Sequence, residues 1–179
     1  MKGELTIACE FKSKVLTMAS ILDIEASGFG AQSYPIEIGV CLANNQQYCS
    51  LIYPEPEWTF WDDSAEKIHG IKRELLIRYG KPVAVVAKEL NEFIGNQTVY
   101  SDCWVVDQPW LTSLFSSAHI EQQFHLSDLQ YILKEPQMAI WHDVKHRVEQ
   151  DLNMHRHRAS ADAKIIQQTY QRSLDMTLS

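Results

Sequence analysis

Three apolar runs come early in the chain: Leu16 to Ile24, Pro35 to Ala43 and Tyr48 to Tyr53. The segments between them, ASGFGAQSY and NNQQ, carry the Gly, Ser and Asn of turns, so the pattern predicts three consecutive strands with short connections. Then the pattern changes. WDDSAEKIHG offers Asp62, Asp63 and Ser64 as N-cap residues, Glu66 within reach of a capping box and Gly70 as a stop, which predicts a short helix. Pro82 opens a second helix, with Val83, Val86, Leu90, Phe93 and Ile94 on one face and Gly95 at its end. A fourth strand is predicted over Thr98–Ser101, followed by a helix led by Asp107 and carrying Trp110, Leu111 and Leu114. From Asp128 onward the pattern is mostly helical, interrupted at Pro136, with a last helix from about Ala159 to Arg172. Strands first in a meander and then interleaved with helices predict an α/β fold whose sheet is mixed, not purely parallel.

The length of 179 residues suits one domain, 1–179, with a full core. Apolar residues at 45% and charged residues at 22% exclude a disordered chain, a collagen and a disulfide scaffold. Sixteen Lys and Arg against 23 Asp and Glu leave a formal charge of −7, so a nucleic-acid partner would need a local site. Residues 1–16 precede the first well-patterned strand and read either as an extra strand or as an N-terminal extension, with Met18 as an alternative start. Cys9, Cys41, Cys49 and Cys103 form no C-x-x-C pair, and Leu5 to Cys9 is too short for a secretory segment. Reduced thiols and a cytoplasmic location are therefore expected. No stretch approaches the ~20 apolar residues of a membrane span.

The chemistry begins at the end of the first strand. In Ile21-Leu22-Asp23-Ile24-Glu25 the two carboxylates stand at i and i+2, on one face, where they repel each other. An isolated pair of this kind is ordinarily a solvated strand end, but this one closes an apolar run that should be central. Unpaired charges there cost several kcal/mol each unless cations offset them. Asp107 and Asp162 stand at helix starts, where either alone fits a cap or a dipole partner. His157 precedes Asp162 in HRASADA, on the loop that leads into the last helix.

In order and spacing, Asp23-x-Glu25, Pro35-Ile-Glu-Ile-Gly39, Ile68-His69-Gly70-Ile71, Asp107 and His157-x-Ala-x-x-Asp162-Ala163 resemble the DEDDh (DnaQ-like) 3′→5′ exonucleases. The resemblance runs from about Ser20 to Tyr170 and implies a ribonuclease-H-like fold. It implies that Asp23, Glu25, Asp107 and Asp162 are the ligands of two divalent cations, Mg²⁺ or Mn²⁺, and that His157 is the general base. The implied reaction releases 5′-mononucleotides from 3′ ends of single-stranded nucleic acid. Hard oxygen ligands suit such ions, which can activate water and stabilise a leaving oxygen. The resemblance also lays the terminal nucleotide over Ala26, Ser27, Gly28 and Phe29, with Gly28 allowing close backbone approach and Phe29 an apolar face. Small members of the family are often dimers, so a homodimer is an implied partner state.

Two departures from the family pattern bear on the site. Ala26 stands where a threonine is commoner, which removes a hydroxyl from the 3′ end. In Ser101-Asp102-Cys103-Trp104-Val105-Val106-Asp107, Asp102 rivals Asp107 as the third carboxylate; Asp107 is favoured because an apolar pair precedes it and a helix follows. Glu37 fits either an acid near the site or the partner of a buried Arg.

Other features compete. His142-Asp143-Val144-Lys145-His146 mimics a zinc-protease helix with Asp in place of Glu, and reads as a solvated helix face. Lys145 to Arg158 carries four basic residues with His146, His155 and His157, a candidate phosphate-contacting patch that puts Arg158 among the substrate contacts. Trp58, Phe60 and Trp61 suit base stacking or core packing. Gly28-Phe29-Gly30 is neither a Walker nor a dinucleotide loop. The acidic composition and the lack of a duplex-gripping appendage favour RNA over DNA. The alternatives are a DNA 3′→5′ exonuclease of proofreading type and a nucleic-acid-binding domain that does not cut.

Overall fold

In the computed structural model, which describes residues 18–154 and 156–178, the alternation along the first strand sorts its side chains onto two faces. β1 (Ile21–Ala26) sends Leu22, Ile24 and Ala26 into the larger core cluster, while Ile21 joins a smaller cluster on the opposite face. By the period of two, Asp23 and Glu25 share that opposite face. β2 (Pro35–Cys41) is buried throughout and pairs antiparallel with β1 and with β3 (Gln47–Leu51). β4 (Thr98–Ser101) runs parallel to β1, and β5 (His125–Asp128) parallel to β4, giving the order β3-β2-β1-β4-β5. This mixed sheet, a meander followed by parallel strands, is the ribonuclease-H-like arrangement expected.

Helices cover both faces. The larger core joins Leu22, Ile24, Ile36 and Ile38 to Leu76 of α2 (Arg73–Tyr79), Val86 and Leu90 of α3 (Val83–Ile94), and Leu111 and Leu114 of α4 (Trp104–Ala118). On the other face α6 (Ala159–Thr177) lies against β1 and β2, and α5 (Glu135–Leu152) packs on α6. Gln167 of α6 is fully buried, and its Nε2 donates to the carbonyls of Ala19, Cys41 and Leu42, fastening the helix to the sheet.

Several expectations are corrected. α1 (Asp63–His69) is capped by Asp62, which accepts from the Ser64 N–H at 2.8 Å; Glu66 makes no capping box and instead accepts from the Trp61 indole N–H. Gly70 closes α1 in the left-handed conformation, as expected. α4 begins at Trp104, so Asp107 lies in its first turn and does not precede it. Pro136 lies in the first turn of α5, where its missing N–H costs nothing, and does not interrupt a helix. α2 and β5 were not expected. The possible N-terminal extension, 1–16, lies outside the described residues. Cys41, Cys49 and Cys103 are free thiols. Among the described residues no helix is long and apolar enough to cross a membrane.

Candidate active site

The site forms where the end of β1 meets the start of α6, and β2 brings the two together. Gly39 pairs with Asp23 across the sheet. A Cβ at Gly39 would lie 2.3 Å from the backbone of Ala159 and Ser160, so the first turn of α6 rests directly on the glycine. Glu37, fully buried, accepts from the backbone N–H of Ala159 at 2.9 Å and from the guanidinium of Arg158. These contacts fix α6 so that ligand atoms of Glu25, His157 and Asp162 lie within 4.8 Å of one another. His157 holds a left-handed backbone, φ 61°, and its N–H donates to Asp162 Oδ2 at 2.8 Å. A non-glycine residue persists in that conformation only where its surroundings hold it, as this hydrogen bond does.

Two more acids come from the segment after β4: Asp102 directly follows the strand and Asp107 lies in the first turn of α4. Asp107 is 1% exposed and accepts from the Ser101 hydroxyl, which itself accepts from the Cys103 N–H at 2.9 Å. Asp102 is paired with Lys145 of α5, Nζ to Oδ2 at 2.8 Å. A cavity of about 450 Å³ is lined by Asp23, Glu25, Asp102, Asp107, His157 and Asp162.

The carboxylates destabilise one another's charged forms. Burial raises Asp23 well above the usual carboxylate range, and the charges of Asp107, Asp162, Glu25 and Asp102 raise it further, in that order. Glu25 is pushed up to about 7 by burial and by the charges of Asp162 and Glu37, with Arg158 opposing. Burial also pushes Asp107 up to about 7; the Ser101 hydrogen bond works against this and the charges of Asp102 and Glu25 with it. Asp162 is raised by burial, against the His157 N–H and the positive charges nearby. Lys145 and Arg158 are committed to Asp102 and Glu37, so the four acids gain no ion pair from them. A set of carboxylate oxygens beside one imidazole is a donor set that fits hard divalent cations.

Ala26, Gly28 and Phe29 line the cleft, with Phe29 69% exposed beside Trp110, ring centroids 6.3 Å apart. Trp110 stands one turn beyond Asp107 on the same helix face, a spacing that could have marked it. Two expected substrate contacts are otherwise occupied. Ser27 is fully buried and turned away, its hydroxyl accepting from the Tyr34 N–H. Arg158, itself exposed, is tied to Glu37, which is thus the partner of an Arg and also an acid near the site, its charge reaching Glu25. Gly28 also has a packing reason: its Cβ would lie 2.7 Å from Phe60 and 2.8 Å from Asp62 within the loop itself. Trp58 stacks on Tyr34 inside the core, and Trp61 meets His69 edge-on. Of the basic stretch, Lys145 and Arg156 reach the cleft, and Arg156 lies 3.5 Å from Glu149. His155 lies outside the described residues, and His142 and His146 are exposed on α5.

No family model and no curated protein matches the chain. Solved structures do. E. coli exonuclease I bound to a 5cy-dT13 oligonucleotide superposes with a TM-score of 0.64 at 12% identity, over 90% of this chain and 43% of that one. The chain shares its fold with exonuclease I. A zinc-bound form of the E. coli exonuclease I complex with single-stranded DNA gives 0.63 at 15% identity, over 89% of this chain and 43% of that one. Exonuclease I from Methylocaldum szegediense gives 0.53 at 11% identity, over 68% and 29%. The chain thus spans less than half the length of the exonuclease I chains it matches, and the likeness is one of fold.

Proposed function

We propose that this chain is a metal-dependent 3′→5′ exonuclease that hydrolyses phosphodiester bonds from the 3′ end of single-stranded nucleic acid and releases 5′-mononucleotides. The observation that carries the reading is the convergence of Asp23, Glu25, Asp107, Asp162 and His157 in one cleft. The exonuclease I fold supports it, as does the order of the motifs.

Two divalent cations, Mg²⁺ or Mn²⁺, held by Asp23, Glu25, Asp107 and Asp162, would supply Lewis acidity and positive charge at the scissile phosphate. The chain's own residues do the rest. His157 takes a proton from the attacking water on an imidazole nitrogen, and its backbone N–H bond to Asp162 Oδ2 holds the loop that carries it at the cleft. Phe29, braced by Trp110, offers an exposed face on which the terminal base stacks. Ala26 contributes no hydroxyl, so contacts to the sugar come from elsewhere in the cleft.

The preference for RNA that the acidic composition suggested gains no support from the neighbours, whose oligonucleotides are dT13 and dA16. Single-stranded DNA is therefore the first substrate to test, with RNA as the comparator. A 5′-labelled oligonucleotide of each kind, incubated with Mn²⁺, Mg²⁺ or EDTA and resolved on a denaturing gel, should give a one-nucleotide ladder from the 3′ end. EDTA and Asp23→Ala should each remove it. No cleavage of either sugar, or a ladder untouched by Asp23→Ala, would overturn the reading.

A further inference from the structure

On the far side of Asp102 and Lys145 lies a second cavity of about 410 Å³, and those two residues line both chambers. Its floor is apolar: Leu129 is buried, Leu133 and Trp141 are half-buried, and Met138 is 44% exposed. Gln130 and His142 stand exposed around it. The size falls within the range of small-molecule sites. A half-exposed indole, an apolar floor and a carboxamide in the lining suit a flat heterocycle with hydrogen-bonding edges.

The boundary between the chambers is charged. Lys145 Nζ carries three N–H donors and gives one to Asp102 Oδ2 at 2.8 Å, leaving donors for an anion that passes from one chamber to the other. A nucleic-acid strand fits that sequence of groups: base, phosphate, base. His142, read from the sequence as part of a solvated helix face, adds a nitrogen on the same side, whereas His146 is turned to Glu149 and Gln150.

We propose that this second chamber is a nucleobase subsite: it takes the base of the third or a later nucleotide from the 3′ end, which a dinucleotide lacks, against Trp141, while Lys145 contacts a non-scissile phosphate on the way. The identity of the strand rests on the exonuclease reading above.

The test is binding as a function of length. A dinucleotide and an octanucleotide of DNA, 5′-fluorescent and with a hydrolysis-resistant phosphorothioate at the 3′-terminal linkage, are titrated with protein and Mg²⁺ by anisotropy. The octanucleotide should bind about tenfold or more tightly than the dinucleotide, the scale of one base stacked on an aromatic ring. Trp141→Leu should remove most of that gain. Met138→Glu puts a carboxylate into the chamber from an exposed helical position, so it should do the same without disturbing the fold. Lys145→Gln should lower the salt slope by about 0.7, the value for one single-strand phosphate. Equal affinities for the two lengths, or an equal loss for both lengths in Met138→Glu, would overturn the subsite. Length-dependent binding that needs Trp141, with no cleavage of an unmodified strand, would uphold the subsite and overturn the catalytic reading instead.

Discussion

Asp102 and Asp107 lie in one short segment, and their surroundings differ. Asp107 is buried, makes no ion pair among the described residues and is the largest charged influence on Asp23; Asp102 is half-exposed, paired with Lys145, and the smallest. Asp107→Asn should therefore cut kcat by orders of magnitude, while Asp102→Asn should act mainly on KM; steady-state kinetics on one oligonucleotide separates the two. His157→Ala should lower kcat by roughly 10²–10⁴, the usual cost of losing a general base, and should leave the rise in Tm with Mn²⁺ in place. At this scale the spacing of the acids and the histidine, at strand and helix ends, agrees with their meeting in one cleft. The partners of Ser27 and Arg158 were not legible. The hydroxyl of Ser27 is taken by the Tyr34 N–H, and Arg158 by a carboxylate 121 positions away, which no local pattern reports.

The element that completes the site is α6, and β2 decides where it lies. Gly39→Ala would set a methyl group 2.3 Å from the Ala159 backbone, so α6 must move. Activity should fall sharply although Asp162 and His157 are untouched, and a kinetic assay beside a far-ultraviolet circular-dichroism spectrum would separate displacement from unfolding. Glu37→Ala leaves the buried Ala159 N–H and the Arg158 guanidinium without their acceptor and should cost about 1–3 kcal/mol, measured by urea unfolding. The motif Pro35-Ile-Glu-Ile-Gly39 is thus a seat for a helix, a role that its own strand cannot disclose. β4 and α3 were legible because each carries its period and its stop. α2 buries only Leu76 and β5 only Leu126, and one buried residue has no period to read.

For the molecule as a whole, the cluster of acids links stability to pH and, under the proposed function, to metal. Glu25 and Asp107 bind protons more tightly folded, at about 7, than unfolded, at roughly 4. The folded state thus holds more protons across that window, and metal-free stability falls as pH rises from about 4 to 7 and levels off above. Thermal unfolding in EDTA should give a lower Tm at pH 8 than at pH 5. Mn²⁺ should raise Tm far more at pH 8, where the ligands are ionised, than at pH 5. Asp23→Asn should raise the metal-free Tm at pH 8 and shrink the gain from Mn²⁺. Equal gains at both pH values would detach the metal from these carboxylates.

By itself the sequence determined the mixed α/β sheet and the residue types at the end that carries the candidate site, because alternation, caps and stops are local and survive in one dimension. The tertiary structure decided which carboxylates face one another, which cations are already committed, and that a second chamber adjoins the first. Those are distances between residues far apart in the chain. They exist only once Gly39 lets α6 rest on the sheet and α5 brings Lys145 to Asp102.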